Sequence, residues 1–89
     1  PDAIVYAAKG GDIEMVKKYL GETPDLLHAQ DYQGNTLLHM AAGYNRLEVV
    51  AYLLEQGADR SAMNYNGDTA YEYADEEDAG VEVMALLNP

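Results

Sequence analysis

The sequence predicts an all-α array of paired antiparallel helices joined by hairpin-like turns, and three observations carry that prediction. First, DYQGNTLLHMA from Asp31 returns as NYNGDTAYEYA from Asn64, an offset of 33 that matches Tyr32 with Tyr65, Gly34 with Gly67, Thr36 with Thr69 and Ala41 with Ala74. Second, AAKGGDIEMVKKYL from Ala7 returns as AAGYNRLEVVAYLL from Ala41, an offset of 34 that matches Glu14 with Glu48, Val16 with Val50 and Leu20 with Leu54. Third, apolar residues within each copy recur at helical spacing, and Gly and Asn interrupt them. A period of this length belongs to stacked arrays, in which each unit buries its apolar face on its neighbours. The 89 residues therefore read as one domain of three units, about 1–30, 31–63 and 64–89. The step from 34 to 33 puts one extra residue in the first connection, within GETPDLLHAQD.

In the first unit, Lys9–Gly11 reads as a helix-to-helix turn, because no Lys-Ser/Thr pair follows at phosphate-loop spacing. In the second, Thr36 before Leu37, Leu38 and His39 predicts a helix start, with the threonine oxygen capping a free N–H of the first turn. The helix ends at GYN, where Gly43 is a poor interior residue and Asn45 tolerates a left-handed backbone. A second helix from about Leu47 carries Leu47, Val50, Leu53 and Leu54 on one face, and Gly57 stands where a left-handed C-terminal cap is expected. RSAMNYNGD then supplies the Asn and Gly of a tight turn before Thr69 opens the third unit. The acidic run Asp75–Val83 lacks the alternating acid pattern of a calcium loop and reads as a solvated inter-helix loop. At the ends, Lys17 and Lys18 suit a polar outer face, and VMALLNP can cover the second unit.

Composition limits the function classes. A globule of this size buries only about 60–65% of its unfolded surface, which leaves little room for a deep pocket. Absence of Cys excludes disulfides and thiolate nucleophiles and is compatible with a reducing cytosol, so a cytoplasmic or nuclear location is expected. No apolar run approaches the roughly 20 residues of a membrane span, and no membrane association is expected. Pro1 in place of an initiator Met is expected to reflect trimming or excision from a longer chain. Sixteen acidic against five basic residues give a net charge of −11, and residues 64–89 hold seven acids and no base. Such a surface repels nucleic acid and favours a basic partner.

The sequence resembles the ankyrin repeat. The family's T-P-L-H-x-A motif is similar to TLLHMA at Thr36–Ala41 and, in eroded form, to TAYEYA at Thr69–Ala74; LEVVAYLLEQGAD at Leu47–Asp59 resembles its second helix and closing Gly-Ala-Asp. Leu37 and Ala70 replace the usual proline, Asn45–Arg46 replace Gly-His, and Glu72 replaces the second histidine. The resemblance implies a structural role for His39, bonding the Thr36 hydroxyl and nearby turn backbone, alongside structural Gly34, Gly57, Gly67 and Thr69. A catalytic or metal-bound His39 would require further groups converging on it. His28, the other histidine, reads as a turn or packing residue.

The resemblance also implies a concave strip formed by turn tips and the inner faces of the first helices, where partner proteins bind. The residues of this chain at those places are Tyr32, Gln33, Asn35, Met40, Gly43, Tyr44, Tyr65, Asn66, Asp68 and Asp75. Tyr32 and Tyr65, one repeat apart, form a ladder of rigid amphipathic rings of the kind that dominates interfaces. The expectation is a monomeric, non-catalytic module that binds a protein partner through a basic segment, without cofactor, metal or nucleic acid. The alternatives are a repeat scaffold, natural or engineered, that only spaces other domains, and a small enzyme dependent on His39.

Overall fold

The second and third helix pairs start where a threonine side chain satisfies a free N–H of the first turn, and in all three pairs the two helices are separated by a residue at positive φ. In the computed structural model, which describes residues 2–88, the helices are α1 (Asp2–Gly10), α2 (Ile13–Glu22), α3 (Leu37–Gly43), α4 (Leu47–Glu55), α5 (Ala70–Glu76) and α6 (Val81–Leu87). Pro1, on which the expectation of excision rests, lies outside the described residues. Thr36 Oγ1 caps α3 and Thr69 Oγ1 caps α5, each accepting from the N–H three residues on. Asp12 caps α2 through Met15 N–H at 3.2 Å. Between paired helices the chain reverses at Gly11 (φ 75°), Asn45 (φ 60°) and Asp78 (φ 58°), and Gly57 (φ 94°) follows α4.

Two connections differ from expectation. The first contains a 3-10 helix, Pro24–His28; Pro24 suits its first turn, where an N–H would go unpaired. His28 is its exposed last residue. The acidic run is not one long loop: Asp75 and Glu76 complete α5, and Val81–Val83 already belong to α6. The reversal at Asp78 shortens the loop to residues 77–80, because this aspartate adopts the left-handed conformation that Asn45 takes one unit earlier.

Turns 31–35 and 64–68 are tight and hydrogen-bonded. Asp31 N–H donates to Asn35 O and Gly34 N–H to Asp31 O, both at 3.0 Å; Asn64 to Asp68 and Gly67 to Asn64 repeat the pattern at 3.0 Å. The second turn hangs on the first through Tyr65 N–H to Gln33 O, 2.9 Å.

The core runs through all three units. Ile4, Ala8, Val16 and Leu20 pack in the first, Leu37, Leu38, Met40, Ala41 and Ala42 along α3, and Ala70, Ala74, Val83 and Leu87 in the third. On α4 the buried residues are Val49, Val50 and Leu53, whereas Leu47 and Leu54 are half-buried. That arc is turned from the expected one because α4 packs against α2 and α6 as well as α3. Polar ties also cross between units: Arg46 Nε donates to Lys9 O at 2.7 Å, Gly80 N–H to Asn45 Oδ1 at 2.9 Å, and Arg60 to Leu86 O.

Candidate functional site

His39 is fully buried, and both its ring nitrogens are engaged. Nε2 lies 2.8 Å from Asp68 O, a carbonyl that can only accept, so Nε2 carries the hydrogen. Nδ1 is then the acceptor, 3.2 Å from Thr36 N and 2.8 Å from Thr36 Oγ1. No lone pair remains for proton abstraction or a metal. The histidine closes the α3 capping box and pins the third unit's turn to the second. Among the described residues no group of three His, Asp or Glu side chains is placed to hold a metal ion.

The buried amides are the second junction. Asn64 Nδ2 donates to Asn35 Oδ1 at 2.9 Å. Asn35 Nδ2 donates to Asp31 Oδ2 at 3.2 Å, while Asn64 Oδ1 accepts from Asn66 and Asp68 N–H at 3.0 Å. Each amide oxygen and nitrogen of the pair has at least one partner, and the two turns are locked as one body.

These bonds correct part of the expected strip. Asn35 is only 1% exposed, because its amide is consumed by Asp31 and Asn64, so it offers a partner nothing. Met40 is likewise 1% exposed, because it belongs to the continuous apolar core. Gly43 is covered by the Tyr73 ring, which also stands edge-on to His39 at 6.0 Å. Asp75 is exposed, at the register of Ala8 and Ala42, both buried.

The remaining residues do line up. Tyr32 (88% exposed) and Tyr65 (74%) stand at equivalent turn tips, with Gln33 and Asn66 beside them. They differ in support. The Tyr65 ring lies on Gly34, where an added Cβ would come within 2.6 Å of it. Tyr32 projects freely. Tyr44 is half exposed, with Lys9 Nζ 5.7 Å from its ring centre. Asp68 is half-buried. Its carboxylate shares a hydrogen bond with Glu76, which holds the Glu76 carboxyl above the usual range, and the charges of Asp68, Glu77 and Glu72 push the same way. Burial raises the Tyr73 hydroxyl, reinforced by the charge of Glu77. The sequence places Tyr73 within a first-helix pattern, less promising for binding than the turn tyrosines, and does not single out Glu76; their registers, those of Met40 and Gly43, are the available signal.

A family model described as ankyrin repeats (3 copies) matches residues 4–87. The chain is 43% identical over 61 residues to the serine/threonine-protein kinase VIK of Arabidopsis thaliana, covering 68% of this chain and 14% of the kinase. It is 40% identical over 62 residues to the human transient receptor potential cation channel subfamily A member 1, covering 68% of this chain and 6% of the channel. It is 39% identical over 57 residues to ankyrin repeat protein 14 of vaccinia virus, covering 64% of this chain and 24% of that protein. The chain thus spans a small part of each relative's length. It belongs to the ankyrin-repeat family, whose repeats are in general non-catalytic protein–protein interaction modules.

Proposed function

We propose that this ankyrin-repeat chain binds an extended basic segment of a partner protein along the strip formed by Tyr32, Gln33, Tyr44, Tyr65, Asn66 and Asp68. The observation that carries this reading is the pair of exposed tyrosines one repeat apart on turns locked to each other by buried hydrogen bonds. Rigid rings on a preformed support lose little conformational entropy on binding, so their contact area converts efficiently into affinity. The carboxylates of Asp68, Glu76 and Glu77 lie towards the same end and would attract a cationic segment over roughly a Debye length, about 8 Å at physiological salt.

The test is affinity capture from lysate with the wild-type chain and with Tyr32→Ala, at low and physiological salt. Tyr32 is the cleaner probe, because Tyr65 also packs on the preceding turn. A protein retained by the wild type, lost by the folded variant and weakened by salt supports the reading. Identical captured sets would sink it in favour of a spacer that binds nothing through this strip.

A further inference from the structure

We propose that Asn66 is a site of spontaneous deamidation, through which a neutral amide at the third unit's turn tip becomes a carboxylate. The chemistry comes from the pair Asn66-Gly67. An asparagine side chain and the next backbone nitrogen can close a five-membered imide, and glycine offers that nitrogen with no side chain to block the approach. Asn66 and Gly67 are both exposed, and a Cβ placed on Gly67 would meet nothing within 4 Å. Asn66 donates its N–H to Asn64 Oδ1, yet among the described residues its side chain and its carbonyl have no hydrogen-bond partner.

The preceding turn shows the opposite case. Gln33 stands at the same position before Gly34. Its carbonyl accepts Tyr65 N–H at 2.9 Å and its Oε1 accepts from Asn35 Nδ2 at 3.4 Å. Its side chain, one methylene longer, would close a six-membered ring, which forms less readily. The other asparagines are held or obstructed. Asn35 and Asn64 are buried and bond each other. Asn45 accepts Gly80 N–H through Oδ1 and precedes Arg46, whose nitrogen donates to Ala41 O. Asn88 precedes a proline, which has no N–H to give up.

The reaction consumes only water. The Gly67 nitrogen gives up the hydrogen it donates to Asn64 O at 3.0 Å and bonds to Asn66 Cγ. The Cγ–Nδ2 bond breaks, and ammonia leaves with that hydrogen. Water then opens the imide. Cleavage between nitrogen and Cγ gives aspartate; cleavage between nitrogen and the main-chain carbonyl carbon gives isoaspartate, in which the backbone runs through the former side chain. Aspartate puts a further carboxylate beside Tyr65 and Asp68. Isoaspartate lengthens a turn whose spacing brings Asp68 N–H to Asn64 Oδ1 and Asp68 O to His39 Nε2, and so weakens both bonds. This chemistry needs no partner and is independent of what binds the strip.

The experiment ages the folded 89-residue chain in mildly alkaline buffer and maps each asparagine by tandem mass spectrometry. The acid form should accumulate at Asn66 roughly tenfold faster than at Asn35, Asn45 or Asn64, which must first be freed from their bonds. Its rate should rise in proportion to hydroxide concentration. Asn66→Gln should stop it and leave the melting temperature unchanged, because Gln33 already occupies that position one unit earlier. The isoaspartate fraction, isolated by reversed-phase chromatography, should melt below Asn66→Asp, which carries the charge without the longer backbone. Equal accumulation at all asparagines, accumulation led by Asn45, or modification of Asn66 only after urea has unfolded the chain would overturn the proposal. An isoaspartate fraction that melts together with Asn66→Asp would overturn its effect on the turn.

Discussion

The second and third units carry the same capping box with different closing residues. In both, a threonine oxygen accepts from the third helical N–H and the side chain three residues on returns a bond to the threonine N–H: His39 at 3.2 Å, Glu72 at 2.9 Å. Glu72 stops there and is exposed. His39 has a second nitrogen, and with it bonds Asp68 O in the following unit. A carboxylate could not do this, because a carbonyl offers no proton. The cap is thus a local device with either residue, and it becomes an inter-unit fastener only with a side chain that accepts at one end and donates at the other.

The largest consequence falls on His39→Ala. It should cost about 3 kcal/mol, combining the lost cap with an unpaired buried carbonyl at Asp68 and a small cavity, and should lower the melting temperature by roughly 10 °C or more. Glu72→Ala should cost about 0.3–1 kcal/mol, as for an exposed cap. Equal losses in thermal unfolding would show that the Asp68 bond contributes nothing.

A smaller effect is expected at the amide chain. Asn64→Asp removes the donor to Asn35 and turns carboxylate charge towards its carbonyl oxygen; if Asn35 flips, it meets Asp31 instead. Either arrangement leaves one repulsive contact, and the loss should be about 1–3 kcal/mol. Asp31→Asn, at the same register one unit earlier, removes the Oδ2 acceptor of Asn35 Nδ2 but keeps an oxygen for the Gln33 and Asn35 N–H groups, and because Asp31 is only half-buried it should cost less. Urea unfolding of the two variants side by side measures the difference.

The smallest effect is electrostatic. Glu76 has its carboxyl raised by the hydrogen bond and charge of Asp68, so the folded state holds this proton more tightly than the unfolded one. The associated stability is fully present below the unfolded value of 4.5 and is lost as pH rises through the folded one. Glu76→Gln should therefore raise the urea midpoint at pH 7, and its advantage should vanish near pH 4. The equivalent residue of the second unit is Gly43, which has no charge to titrate. A pH-independent advantage would mean that Gln acts through something other than this pair.

The legible part of the molecule was local. Thr36 and Thr69 announced their helices, Asn45 and Gly57 announced their reversals, and the repeat offset placed Tyr32 and Tyr65 at equivalent tips. The strip was less legible. Asn35 and Met40 occupy polar and helix-face positions that suit a binding surface, yet both are consumed by neighbouring units. Tyr71 repeats the register of Leu38 but is more than one-third exposed, whereas Leu38 is buried.

Repeat length, helix starts and turn conformations follow from the order of residues, since a cap or a positive φ depends on side chains within three or four positions along the chain. Which face of each helix disappears from solvent depends on units 33 or 34 residues away, and the same register is core in one unit and surface in another. Burial is a property of what stacks on a face, and only the assembled array supplies that neighbour.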